Sequence, residues 1–175
     1  ADPARIAALR ARIQAVEFGR EQGAESPVVP LGHPALDGAL PWGGLPAGCL
    51  HEVAPPPAAG AAGTGFSALL LARFAAATEA PVLWCLRRDD LHLPGLVAFG
   101  IDADRLIVVR ARRREEVAWV LEESLRSRRL AAVLGEVDGI DLAAGRRLQL
   151  AAAAGETACL LLREDGGRSE KAATT

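Results

Sequence analysis

Five short strand candidates recur along the chain, Leu50 to Val53 and the four apolar runs Val82 to Leu86, Arg105 to Val109, Ala131 to Leu134 and Ala158 to Leu162. Their interiors do not alternate apolar with polar residues. A strand with one wet face alternates, whereas a continuous apolar strand is covered on both faces. Helical spacing lies between the runs. Phe66 to Ala77 sets Leu69, Leu70, Arg73 and Phe74 on one side, Glu115 to Arg126 aligns Val117, Val120, Leu121 and Leu125, and a third helix runs near Leu142 to Ala153. Strands alternating with helices through right-handed crossovers predict a three-layer α/β domain with a mostly parallel central sheet. At 175 residues, 50% of them apolar, the chain supplies one such domain with a real core.

The flanks read differently. Ile6, Leu9, Ile13 and Val16 recur at helical spacing among Arg5, Arg10 and Arg12, a narrow stripe suited to one partner helix or groove. This divides the chain into an N-terminal helical arm (1–20), a linker (21–30), a core (31–165) and a polar tail (166–175), with Val28-Val29 as a short strand within the linker. The stripe either folds back on its own domain or docks on another subunit, a second copy included. The charged N-terminus lacks an apolar leader and no uninterrupted apolar run approaches the ~18 residues of a membrane span, so a cytoplasmic protein without a membrane partner is expected. Cys49, Cys85 and Cys159 have no C-x-x-C partner, and His33, His51 and His92 share no ligand spacing with them. Buried free thiols and no metal are the expectation. A net charge of −2 argues against coating nucleic acid by bulk charge.

Between the first two strands, Gly60-Ala-Ala-Gly-Thr-Gly65-Phe66-Ser67 has the spacing of a phosphate-binding loop, G-x4-G-K-[ST], with phenylalanine in the lysine position. The lysine carries the charge that reaches the outer phosphates, and the chain's single lysine is Lys171, in the tail. Pro55-Pro56-Pro57 also removes three backbone donors from the loop expected over 54–65. Gly60, Gly63, Gly65, Phe66 and Ser67 therefore read as a vestigial nucleotide-binding site with no cofactor expected. The Ser67 hydroxyl and the amides from Gly63 would serve any residual binder.

The segment Leu31-Gly-His-Pro-Ala-Leu36-Asp37-Gly-Ala-Leu40-Pro-Trp-Gly43-Gly44-Leu45-Pro46-Ala-Gly48 resembles the lead-in to the first core strand of RecA-like recombinases. Three departures from that pattern remove ATPase parts. Phe66 replaces the lysine, Arg87-Arg88 follows the second strand where an acid activates water, and Leu134-Gly135 stands where the magnesium aspartate ends a strand. Glu136 and Asp138 remain as shifted acids, which keeps a slow DNA-stimulated ATPase open. The phrases Pro81-Val-Leu-Trp84-Cys85, Asp90-Leu-His-Leu-Pro-Gly95-Leu, Arg105-Leu-Ile-Val-Val-Arg-Ala-Arg112-Arg113 and Gly145-Arg-Arg-Leu-Gln-Leu150 resemble the ImuA family. That resemblance implies a RecA-like accessory protein of SOS-induced translesion synthesis and DNA-damage mutagenesis. It also implies an ImuB-type clamp-binding, polymerase-like partner and an error-prone C-family polymerase, with RecA and single-stranded DNA as further candidates and a nucleoid-associated place in the cytoplasm. A SulA-type cell-division inhibitor is the rival with a similar shortened core.

Arg110, Arg112, Arg113 and Arg114 form the strongest basic cluster, at the strand edge where open α/β sheets hold ligands. Arg146 and Arg147 are a second pair on the helix after the fourth strand. Both are candidates for nucleic-acid phosphate, set against a solvated edge whose ion pairs are supplied by Glu115 and Glu116. Trp42, Trp84 and Trp119 read as packing residues, and no catalytic residue is assigned.

Overall fold

The computed structural model describes residues 5, 6, 9, 27–40 and 42–163. In chain order its elements are β1 (Val28–Val29), α1 (Pro34–Asp37), β2 (Leu45–Pro46), β3 (Leu50–Val53), α2 (Gly60–Ala76), β4 (Val82–Leu86), α3 (Leu93–Ala98), β5 (Leu106–Arg110), α4 (Arg114–Arg126), β6 (Ala132–Val137), α5 (Leu142–Gly155) and β7 (Ala158–Arg163). Strands β3 to β7 form one parallel sheet in the order β3-β7-β6-β4-β5.

Successive strand residues point to opposite faces, so each apolar run feeds two cores. Trp84, Leu134 and Leu160 meet Leu70, Leu71 and Phe74 of α2 and Leu96 of α3. Leu83, Val133 and Leu161 meet Val117, Leu121 and Leu125 of α4 and Leu148 of α5. Each fully buried leucine contributes about 1.5–3 kcal/mol relative to exposure. The five strands and three long helices stand where the sequence places them, with three differences.

First, α2 begins at Gly60 rather than Phe66, after a single 3-10 turn at Pro57–Ala59, so most of the expected loop is helix. By length and apolar composition the stretch Pro57–Ala76 could cross a membrane, but half of it is buried inside the fold, as suits a core helix. Second, β6 continues through Gly135 and Glu136 to Val137, where the sequence reading ends it at Leu134. Third, β5 is not covered on both faces. It is an edge strand with Ile107 and Val108 exposed.

The lead-in to β3 is held by its own polar groups. The Asp37 carboxylate accepts from the Leu31 and Gly32 amides at 2.7 and 3.1 Å. Gly43 and Gly48 have φ of +72° and +70°, left-handed turns that glycine adopts without strain. Val28–Val29, inside the stretch read as linker, pairs antiparallel with Leu45–Pro46, and Val29 enters the core.

Sheet order fixes where a ligand crevice falls. β4 leads by α3 to β5 on one side, and β6 leads by α5 to β7 on the other. The carboxyl ends of β4 and β6 are therefore the topological switch point, where open α/β sheets bind ligands.

Candidate functional site at the carboxyl edge of the sheet

A cleft of about 460 Å³ lies at that switch point, between the amino end of α2, the loop after β4, and the ends of β6 and β7. Gly60, Thr64 and Gly65 form one wall, Leu91, Leu96 and Phe99 another, and Arg88, Asp90, His92, Glu136 and Arg163 supply polarity. The first four N–H groups of a helix lack intrahelical partners, and later ones are consumed by i to i−4 bonds. With α2 starting at Gly60, the amides of Thr64 to Ser67 belong to the helix ladder rather than to a cradle.

The glycines of the motif make room for side chains instead. A Cβ on Gly63 would lie 2.5 Å from Pro55 Cγ, and one on Gly65 would lie 2.7 Å from Phe99 Cζ. Pro55 and Phe99 thus press on the helix where the sequence reading expects phosphate. Phe66 is partly exposed. Ser67 is buried, its hydroxyl has no hydrogen-bond partner among the described residues, and it does not line the cleft. The hydroxyl on the cleft wall is that of Thr64, which donates to the Gly60 carbonyl at 3.2 Å.

Glu136, the buried acid of the crevice, is committed internally, as is Asp138 beside it. Buried Glu136 accepts from Trp84 Nε1 at 2.9 Å with one oxygen and from the Arg87 amide at 3.0 Å with the other. Arg87 pairs with the Asp138 carboxylate. Buried Arg163 bonds Glu52 Oε1 at 2.9 Å and reaches the Asp138 carbonyl at 3.4 Å. Glu136 and Asp138, the shifted acids of the ATPase alternative, are both held by protein partners. Nearby Cys85 has its thiol pushed up to about 11, by burial first and then by the charges of Glu136 and Glu116. Cys159 is pushed higher by burial alone, and all three cysteines are free and buried.

This cluster escaped the sequence reading, although one signal was present. A tryptophan inside an apolar strand needs an acceptor for its indole N–H, and Glu136 is the acid that an extended β6 offers two residues past Leu134.

None of the six candidate arginines lines the cleft. Arg110 pairs with Asp89 at 2.8 Å, and Arg113 pairs with Glu116 at 2.8 Å. Glu116 also accepts from the amides of Arg112 and Arg113, closing the amino end of α4. The Arg113 side-chain bond leads the causes that lower the Glu116 pKa and raise that of Arg113. On α5, Arg147 bonds Glu122 of α4 at 3.2 Å. Arg112, Arg114 and Arg146 are exposed and make no ion pair among the described residues.

Trp84 is buried as expected, but Trp119 is 64% exposed on α4. Its reading as a packing residue is therefore corrected. Ile6 and Leu9 of the stripe are helical and exposed, while Ile13 and Val16 lie outside the described residues, as do residues 164–175.

Two curated proteins, both named Protein ImuA and from two strains of Caulobacter vibrioides, match at 43% identity over 129 residues. The match covers 72% of this chain and 53% of each relative, so the chain spans about half the length of the relatives it matches. Among solved structures, SulA from Pseudomonas aeruginosa superposes with a TM-score of 0.57 at 20% identity, covering 67% of this chain and 98% of SulA. That likeness concerns the fold. No protein-family profile matches the chain.

Proposed function

Because the chain belongs to the ImuA family over the matched stretch, we propose that it is a non-catalytic, RecA-like adaptor in SOS-induced translesion mutagenesis. It works in the cytoplasm at the nucleoid, beside an ImuB-type clamp-binding protein and an error-prone C-family polymerase. The observation that supports the non-catalytic part lies in the second turn of α2, where Pro55 and Phe99 fill the space against Gly63 and Gly65. A phosphate site needs free backbone donors and a cation at that place. From Thr64 onward the amides are taken by the helix ladder, and Glu136 faces the same cleft as Arg88 and Arg163.

On this reading, partners are held through surface contacts that do not cycle with nucleotide. The stripe Ile6, Leu9, Ile13, Val16 docks a partner, and Ile6 and Leu9 stand exposed to do so. Arg112, Arg114 and Arg146 have charge available for single-stranded DNA or for a RecA filament on it.

The test has two arms. Tagged chain is used to retain an ImuB-type partner, with a Leu9→Asp/Ile13→Asp variant expected to lose that retention. ATP turnover is measured with and without single-stranded DNA and is expected to be absent. Turnover that disappears in a Gly65→Asp variant overturns the non-catalytic reading, and partner retention indifferent to the stripe variant removes the docking assignment.

A further inference from the structure

At the amino edge of the sheet, opposite the crevice, two adjoining cavities of about 330 and 350 Å³ share Arg128 and Gly155 as a common wall. Residues 128–131 lead there into β6, and residues 156–157 into β7. The first cavity is lined by Val29, Phe74, Ala80 and Leu130, and Leu150 and Ala154 continue the apolar surface between α4 and α5. Arg128 and Glu156 are the non-glycine residues with left-handed backbone among the described residues, with φ of +55° and +52°, and both line this cavity. Each stands just past a helix carboxyl end, of α4 and α5, where glycine is the usual occupant. A cation there suits the helix dipole, but Arg126 already supplies one in the last turn of α4. A carboxylate does not suit it, so Glu156 is set against both backbone conformation and dipole. Among the described residues, the side chains of Arg128, Arg129 and Glu156 have no hydrogen-bond or ion-pair partner. Backbone strain and unengaged charge thus meet at one apolar cavity.

We propose that this groove receives a peptide segment of a partner protein in which a carboxylate adjoins an apolar side chain. The apolar side chain enters against Phe74 and Leu130, Arg128 and Arg129 donate to the carboxylate, and Glu156 accepts a backbone N–H of the segment. Residues in strained backbone conformations cluster at ligand clamps, where the surrounding structure holds them in place. Charge selects the occupant. A nucleic-acid strand would carry phosphate past Glu156, and past Glu122 where the groove continues. It would also find no ring to stack on, because Phe74 is buried. A single acid meets two arginines without partners among the described residues, the recognition mode by which arginine clusters take acidic motifs. The site uses neither the N-terminal stripe nor Arg112, Arg114 and Arg146, so its test is separate from theirs.

The experiment selects peptides on the full chain from a displayed random library and titrates an enriched one, dye-labelled, by fluorescence anisotropy. Enriched sequences are expected to carry an acid beside an apolar residue. Arg129→Gln and Arg128→Gly are each expected to weaken binding by about tenfold or more, as is asparagine in place of the peptide's acid. The same chains are unfolded in urea, where Arg128→Gly and Glu156→Gly are expected to raise the midpoint, because glycine adopts the left-handed turn without strain. Stability gained together with binding lost marks a residue held for its ligand, whereas a purely structural arginine gives no binding loss. A selection that enriches no acidic sequence overturns the proposal, as does binding indifferent to both arginine variants. So does a lowered midpoint in Arg128→Gly, since the turn would then favour arginine. An oligothymidylate that displaces the peptide and loses affinity in the same variants overturns it too, by assigning the site to nucleic acid.

Discussion

Alanine at Gly60, Gly63 and Gly65 should give three different stabilities, because the helix that holds all three meets different neighbours at each. In a helix, Gly→Ala is worth about 0.5–1 kcal/mol through reduced backbone entropy of the unfolded chain. A Cβ at Gly60 meets nothing within 4 Å. The gain there is expected near the lower end, at the first helical residue, raising Tm by about 1–2 °C for a chain of this size. At Gly63 the new Cβ would sit 2.5 Å from Pro55 Cγ and 2.8 Å from Pro55 Cβ. A proline ring is tied to the backbone and cannot rotate aside, so overpacking of about 1–3 kcal/mol applies. Set against the helix gain, Gly63→Ala is expected to destabilise by about 0.5–2 kcal/mol.

Gly65 stands between these cases. Its Cβ would lie 2.7 Å from Phe99 Cζ, but that ring is partly exposed and has room to swing outward. A smaller loss is expected, and Phe99→Ala in the same chain should relieve it, a coupling that a double-mutant cycle reads directly. Urea denaturation supplies the measurement, with midpoints compared at unchanged m-value. If Gly63→Ala stabilises as much as Gly60→Ala, then Pro55 does not press on α2. The argument that the phosphate place is filled would fail with it.

Further outcomes follow from single contacts. Glu136→Ala should cost at least about 1–3 kcal/mol, since it leaves the buried Trp84 indole N–H without its acceptor, and Glu136→Gln should cost less because an amide oxygen can still accept from it. His51 is held neutral by burial, which lowers its pKa from 6.5 despite the opposing Pro46 carbonyl bond. The unfolded chain then binds a proton that the folded chain refuses, so stability present above pH 6.5 declines as pH falls toward the lowered folded value. His51→Gln should flatten that decline in denaturation curves compared between neutral and mildly acidic pH, and an unchanged slope would contradict the burial argument. Single-stranded DNA binding, if present, should be salt-sensitive and weaker in Arg112→Ala/Arg113→Ala; binding at low salt identical to the parent refutes the arginine edge.

What was legible in the sequence divides along physical lines. Continuous apolar runs located four of the five core strands, because burial on both faces leaves little else as an option for Val82–Leu86 or Ala158–Arg163, while Leu50–Val53 carries His51 and Glu52. The same signal misled at β5, since Leu106–Arg110 is apolar yet lies at the sheet's edge, and strand order is not written in periodicity. The start of α2 was missed because three glycines after three prolines read locally as loop, each glycine costing about 1 kcal/mol in helix propensity. Packing against Pro55 and Phe99, both outside the motif, offsets that cost. The short helix Leu93–Ala98 went unassigned with Pro94 and Gly95 inside it. Trp119 shows a further limit, because helical spacing sorts residues by face but does not reveal that a tryptophan stands in solvent.

The charge arrangement in the crevice bears on why an adaptor reading suits this chain better than a dormant enzyme. A site awaiting nucleotide and metal holds charges that the ligand will satisfy, and those charges are costly to keep buried alone. Here Glu136 spends both oxygens on Trp84 and Arg87, Asp138 is bound to Arg87, and Arg163 is bound to Glu52. Glu136 and Arg163 are the buried charges among them, and removing the partner of a buried charge costs more than the pair contributes. A magnesium ion at Glu136 would compete with the Trp84 and Arg87 bonds for that carboxylate, and the cleft wall sets Glu136 and Asp90 beside Arg88 and Arg163.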